Sequence, residues 1–251
     1  MGSIDVFCVF PEAVESTLRV GVVGRAIERG LVEFRVFDLR NFSPNGRIDD
    51  APFGGGAGMV VRVDVVARAF EEVYGLPARE VREGRRVILT EPGGRNLDQG
   101  YVEELAVGLE DGRNIVVVCG RYGGMDERVQ AYLATEAVSL GPFVLSGGEI
   151  AAAALSDAVI RTLNGVLGNS ESLEGESFSE EGAIGPPVYT RPAAWDEEDV
   201  PGVLLSGNHR EIRAWRERES RERARARAGA TGDLAFSAQE APNITHEEGK
   251  Q

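Results

Sequence analysis

The chain alternates short apolar runs with segments whose apolar residues recur every three to four positions. IDVFCVF (4–10), LVEFRVF (31–37), RVILT (86–90), NIVVVCG (114–120) and EAVSL (136–140) have the length and β-branched content of buried strands. Between them the pattern predicts a helix over 12–29, stopped by Gly30. It predicts another over 64–74, where Val65, Val66, Ala69, Phe70 and Val73 share one face. Further helices are expected over 98–109, 125–134 and, rich in alanine, 147–163. Strands alternating with helices in this way predict an α/β domain on a largely parallel sheet covered on both faces. A turn-rich stretch, NFSPNGRIDDAPFGGGAGM (41–59), interrupts the alternation.

The periodicity stops at 164–187, NGVLGNSESLEGESFSEEGAIGPP, where Gly, Ser and Glu dominate. Such composition reads as a flexible linker. Residues 188–206 are irregular, with several prolines, and NHREIRAWRERESRERARARA (208–228) reads as one helix. The expected organisation is a first domain over 1–163, the linker 164–187, a small helical domain over 188–228 and a disordered tail over 229–251. A length of 251 residues suits one to two domains and a sizeable core without cross-links.

Charge and cysteine usage narrow the class. The formal net charge is −14, which excludes a uniformly basic nucleic-acid coat but not a local basic patch. Such a patch is present: 208–228 carries eight arginines against four glutamates. Concentrated cations on an acidic chain point to a polyanion partner. The competing reading is a solvated helix held by i,i+4 pairs such as Glu217–Arg221 and Glu219–Arg223, with Ile212 and Trp215 anchoring it. Cys8 and Cys119 both sit in apolar runs and read as buried thiols of a reducing compartment. The histidines, His209 and His246, form no ligand pair. Without a basic-then-apolar leader or an apolar run of spanning length, a cytoplasmic location is expected.

Three glycine-rich loops each follow a predicted strand: TEPGGR (90–95), CGRYGG (119–124) and LGPFVLSGG (140–148). Ligands of parallel sheets bind beyond the carboxyl ends of strands, where backbone N–H groups are free. Any one such loop is equally a plain strand-to-helix turn, and only their succession favours a site. None is a phosphate loop, because no Gly-Lys-Ser/Thr occurs, and Ser146 does not lie in a Gly-x-Ser-x-Gly elbow. Arg161 ends the alanine-rich helix just before Glu171, Glu174 and Glu176 of the linker. A cation beside an acidic linker fits acid–base work, although a solvated acidic segment is the commoner arrangement.

Taken together, RVGVVGRAIERGLVEF, DDAPFGGGAGM, CGRYGGMDERV, VLSGGEI, NGVLGN, ESFSEEG, YTRP and VLLSGNHREIRAWR follow the order found in bacterial tRNA (guanine-37-N1)-methyltransferases. The chain resembles that family from about residue 4 to about 227. The resemblance implies an α/β domain with a C-terminal trefoil knot, of the SPOUT class, followed by a small helical domain that binds tRNA. It implies a homodimer with the active site between subunits. It implies S-adenosylmethionine as methyl donor, held by the three loops, with magnesium as an auxiliary ion. By motif, the cofactor contacts fall on Gly120 and on Leu140, Gly141, Pro142, Phe143, Val144 and Leu145. Thr90, Pro92 and Gly94 follow from the first loop.

The implied reaction moves a methyl group to N1 of guanosine 37. N1 must lose a proton, which needs a positioned base, and charge then moves toward O6, which needs a cation or donor. The resemblance assigns these roles to Glu176 and Arg161, and tRNA contacts to Arg213, Arg216 and Arg221. Three motifs depart from the family pattern. Its base is usually Asp where this chain has Glu176, its acid in CGRYEG is replaced by Gly123, and its IGDYVL reads LGPFVL. Two alternatives therefore stay open: a catalytically weak RNA-binding relative, and a knotted methyltransferase acting on a different RNA.

Overall fold

A computed structural model of the chain describes residues 1–168, 175–179 and 183–232, with side chains through 229. It divides into two compact units, Met1–Glu171 and Ser172–Gln251, so the division falls inside the stretch read as a linker. The first unit runs β1 (Ser3–Cys8), α1 (Pro11–Leu18), α2 (Gly21–Glu28), β2 (Glu33–Asp38), β3 (Asp49–Asp50), β4 (Val60–Val61), α3 (Val63–Tyr74) and α4 (Val81–Gly84). It continues β5 (Arg85–Asn96), α5 (Gln99–Glu110), β6 (Asn114–Cys119), α6 (Glu127–Tyr132), β7 (Glu136–Ser139) and α7 (Glu149–Thr162). The second unit contains β8 (Ala194–Trp195), β9 (Glu198–Asp199), α8 (Gly202–Leu205) and α9 (His209–Gly232).

The main sheet has the order β2-β1-β6-β5-β7, and every adjacent pair is parallel. Alternation along each strand sends side chains to two cores. Ile4, Val6 and Cys8 of β1, Ile88, Ile115, Val117 and Val138 pack with α1, α2, α5 and α7 on one face. Phe7, Val87, Leu89, Val116 and Val118 pack with α3 and α6 on the other. Asp5 is the polar exception. It is fully buried on β1, where Arg35 grips it with two hydrogen bonds of 2.7 Å and the Tyr74 hydroxyl adds a third at 2.9 Å. A buried carboxylate needs that full set of donors to offset its lost hydration. Burial pushes the Cys8 thiol up to about 12, with the Glu149 carboxylate adding to the effect.

Three elements differ from the expected boundaries. The helix read over 12–29 is two helices, because Val20 is extended (ψ 163°) and Gly21 takes a left-handed φ of +65°. The apolar period runs through the break, since both helices face the same core. The strand read over 86–90 continues to Asn96. The last helix extends to Gly232, four residues into the stretch read as a tail, where no proline stops it; positions beyond 232 lie outside the described residues. No helix among the described residues is long and apolar enough to cross a membrane.

Candidate active site

The strand order brings the bulge within β5 and the loops after β6 and β7 to one end of the sheet, because β6 and β7 flank β5. Together they line a cleft of about 480 Å³. The first loop is a bulge: Val138 of β7 pairs with both Thr90 and Arg95, so Glu91, Pro92, Gly93 and Gly94 leave the ladder. Thr90 holds one end. It is buried, and its Oγ1 donates to the Val118 carbonyl and accepts from the Gly120 N–H, each at 3.4 Å. Gly94 holds the other end, so close to Ala137 and Val138 that a Cβ would strike their backbone. A side chain is excluded there by contact.

After β7 the third loop returns across β5 to the end of β6. The Gly148 N–H donates to the Gly120 carbonyl at 2.8 Å, and Gly147 bridges Arg121. A Cβ on Gly148 would collide with Thr90 Oγ1 and press on Cys119 and Gly120, so all three loops meet at this glycine. The second loop is also tied to the turn-rich GGGAGM segment. Gly123 N–H donates to Met59 O at 2.8 Å, Asp126 N–H donates to Val61 O at 2.9 Å, and Gly124 O accepts from Val61 N–H at 3.1 Å. Tyr122, with φ +59°, takes a left-handed conformation unusual outside glycine.

One buried ion pair braces the second loop against α7. Glu149, 2% exposed at the first position of α7, accepts from Arg121 Nη1 at 3.0 Å and from the Val9 N–H at 3.4 Å. The Arg121 guanidinium lies 4.3 Å from the Phe10 ring centre. An acid at a helix N-terminus also opposes the positive end of the helix dipole. Sequence reasoning missed this pair, because an acid in a first helical turn is common. Asp126 caps α6 through the Arg128 N–H, and hydrogen bonds from the Arg128 side chain hold its carboxyl below the usual range.

Of the residues named for the cofactor, Thr90, Pro92, Gly120, Leu140, Phe143, Val144 and Leu145 line the cleft. Gly94, Gly141 and Pro142 do not. Gly94 serves the backbone approach to β7, and Gly141 accepts hydrogen bonds from the Phe143 N–H and the Ser139 hydroxyl. The wall further includes Glu91, Tyr122, Met125 and Gln130. It combines apolar side chains with glycine-rich backbone, the mixture found in small-molecule sites.

Arg161 sits in the last turn of α7, partly buried, in the first unit. Glu176 belongs to the second unit and is also partly buried; its carbonyl accepts from the Ser179 hydroxyl at 3.0 Å. Both residues have interaction partners. Glu171 and Glu174 lie outside the described residues. In the second unit, Trp215 is 9% exposed and packs 6.2 Å from the Tyr189 ring, so it anchors the helix. Arg213, Arg216 and Arg221 are exposed, and none has an ion pair or hydrogen bond through its side chain among the described residues. Neither expected i,i+4 pair closes: Glu219 pairs with Arg218, and Arg223 donates to the Gly185 carbonyl. No group of three or more His, Cys, Asp or Glu side chains among the described residues converges as a metal site.

The family described as tRNA (Guanine-1)-methyltransferase TrmD matches residues 2–230. Three relatives carry the name tRNA (guanine-N(1)-)-methyltransferase. The protein of Persephonella marina is 42% identical over 215 residues, covering 84% of this chain and 80% of the relative. That of Geobacter sp. (strain M21) is 43% identical over 224 residues, covering 88% and 86%. That of Limosilactobacillus reuteri is 42% identical over 222 residues, covering 88% and 85%.

Proposed function

The chain belongs to the tRNA (guanine-1)-methyltransferase family, and from that premise we propose that it methylates N1 of guanosine 37 in tRNA, using S-adenosylmethionine bound in the three-loop cleft. The observation that carries this is the convergence of the β5 bulge and the loops after β6 and β7 on one cleft of about 480 Å³. Leu89, Val138, Leu140 and Leu145 offer an apolar wall, while glycine-rich backbone offers close main-chain approach. A donor of this kind supplies an electrophilic methyl group.

The remaining chemistry belongs to the chain. Glu176 takes the N1 proton as the N1–methyl bond forms. Arg161 stabilises the charge that moves to O6 when that proton leaves. The rate of this proton transfer depends on how the carboxylate is positioned. Exposed guanidinium groups at 213, 216 and 221 meet phosphates of the RNA.

The return of Gly147 and Gly148 to the end of β6, across β5, supports the trefoil knot. Val144, 84% exposed, and Ile150, 56% exposed, leave apolar surface on and just after the third loop. This exposed apolar surface supports a homodimer with a shared active site, in which a second subunit covers it. The cytoplasm is the compartment where this reaction belongs. No step is assigned to magnesium.

The test is transfer of labelled methyl to an unmodified tRNA transcript with guanosine at 36 and 37, beside one with adenosine at 37. Label confined to the guanosine transcript, as 1-methylguanosine, is expected; label on neither, or equally on both, overturns the reading. In the same assay Glu176→Gln removes most turnover and leaves S-adenosylmethionine affinity nearly unchanged.

A further inference from the structure

Glu91 is a charged side chain of the cleft that the mechanism leaves unused. It opens the bulge that Thr90 and Gly94 hold at its two ends, and Pro92, next in the chain, fixes its own φ. The carboxylate is thus carried on a stretch of backbone with little freedom, and the residue lines the cleft, partly buried. It has neither an ion pair nor a hydrogen bond among the described residues. Other charges of the wall are accounted for: Arg121 pairs with Glu149 and Asp126 with Arg128, while Glu127 is exposed. A partly desolvated carboxylate with no donor or cation is unfavourable by itself. It becomes favourable when a ligand brings positive charge.

We propose that Glu91 is a cofactor-recognition residue whose carboxylate pairs with positive charge on S-adenosylmethionine. This rests on the reading of the cleft as the cofactor site. The cofactor carries two cationic centres, the sulfonium and the α-ammonium. They have different consequences, because methyl transfer turns the sulfonium into a neutral thioether and leaves the ammonium unchanged. Pairing with the sulfonium makes Glu91 distinguish donor from spent product; pairing with the ammonium makes it hold both.

The experiment is calorimetric titration of the full chain with S-adenosylmethionine and, separately, with S-adenosylhomocysteine, for wild type, Glu91→Gln and Glu91→Asp. Glu91→Gln keeps the size and polarity of the side chain and removes its charge. Its dissociation constant for S-adenosylmethionine is expected to rise about tenfold, with a thermal midpoint in the absence of ligand no lower than that of wild type. Glu91→Asp recovers part of the loss. Unchanged affinity for S-adenosylhomocysteine identifies the sulfonium, and an equal loss for both ligands identifies the ammonium. A Glu91→Gln protein that binds S-adenosylmethionine within twofold of wild type, or more tightly, overturns the proposal. A wild-type protein that binds neither ligand overturns the reading of the cleft itself, and this inference with it.

Discussion

Glu149→Gln tests whether the bracing of the second loop determines the order of the cleft. Removing one partner of a buried ion pair costs about 3–5 kcal/mol when the other charge is left wholly uncompensated. Two features reduce that here. Arg121 keeps 23% of its side chain exposed and lies over the Phe10 ring, and glutamine retains one acceptor oxygen. The loss at the pair is therefore about 2 kcal/mol. Losing a carboxylate from the N-terminus of α7 adds about 0.5 kcal/mol.

If the first unit, 171 residues long, unfolds in one step, each kcal/mol moves the unfolding midpoint by about 2–4 °C. The first unit of Glu149→Gln should thus unfold about 5–10 °C below wild type in a calorimetric scan. Arg121 begins the turn that carries Tyr122 and Gly123 along the cleft, so affinity for S-adenosylmethionine should fall with it, several-fold. A midpoint within 1 °C of wild type would refute the reasoning, because it would mean that water or another acceptor already satisfies Arg121.

Other consequences follow from the same geometry. Burial pulls the Glu136 carboxyl upward, but hydrogen bonds from Arg86 at 2.8 and 2.9 Å outweigh it and hold it below the usual range. Its contribution is therefore complete above about pH 4.3 and lost as pH falls through the folded value; urea midpoints should fall below about pH 4.5, and less so in Glu136→Gln. With Cys8 pushed up to about 12 and Cys119 also raised by burial, a thiol reagent at pH 8 should label neither in the native protein and both in denaturant. Rapid native labelling would mean that the core opens. Replacing Arg213, Arg216 and Arg221 with alanine should weaken tRNA binding and lower its salt slope by about 0.7–0.9 for each phosphate left without its arginine; an unchanged slope would return those side chains to a solvated face.

The parts that the sequence made legible are those decided within a few residues. Continuous apolar runs located the strands because both faces of the sheet are buried, and a 3.6-residue period located the helices because each addresses one core face. The same property hid the break at Arg19–Gly21, since α1 and α2 turn their apolar sides to one core. Trp215 was legible as an anchor because an aromatic among charged helix positions has few other uses.

The site is legible only through pairing between distant segments. Each glycine-rich loop is by itself an ordinary turn, and nothing local distinguishes Gly148, which must lie against Thr90 and Gly120, from a glycine that merely permits a bend. What makes the three loops one site is that β7 adds to the far edge of β5 and not to β6, its predecessor in the chain. That order carries the third loop back over the first, and with it the bulge that presents Glu91 and the helix start that presents Glu149. Both acids follow from strand order, which no single segment encodes; a change that loosens the packing of Gly148 on Thr90 should therefore disturb all three loops together.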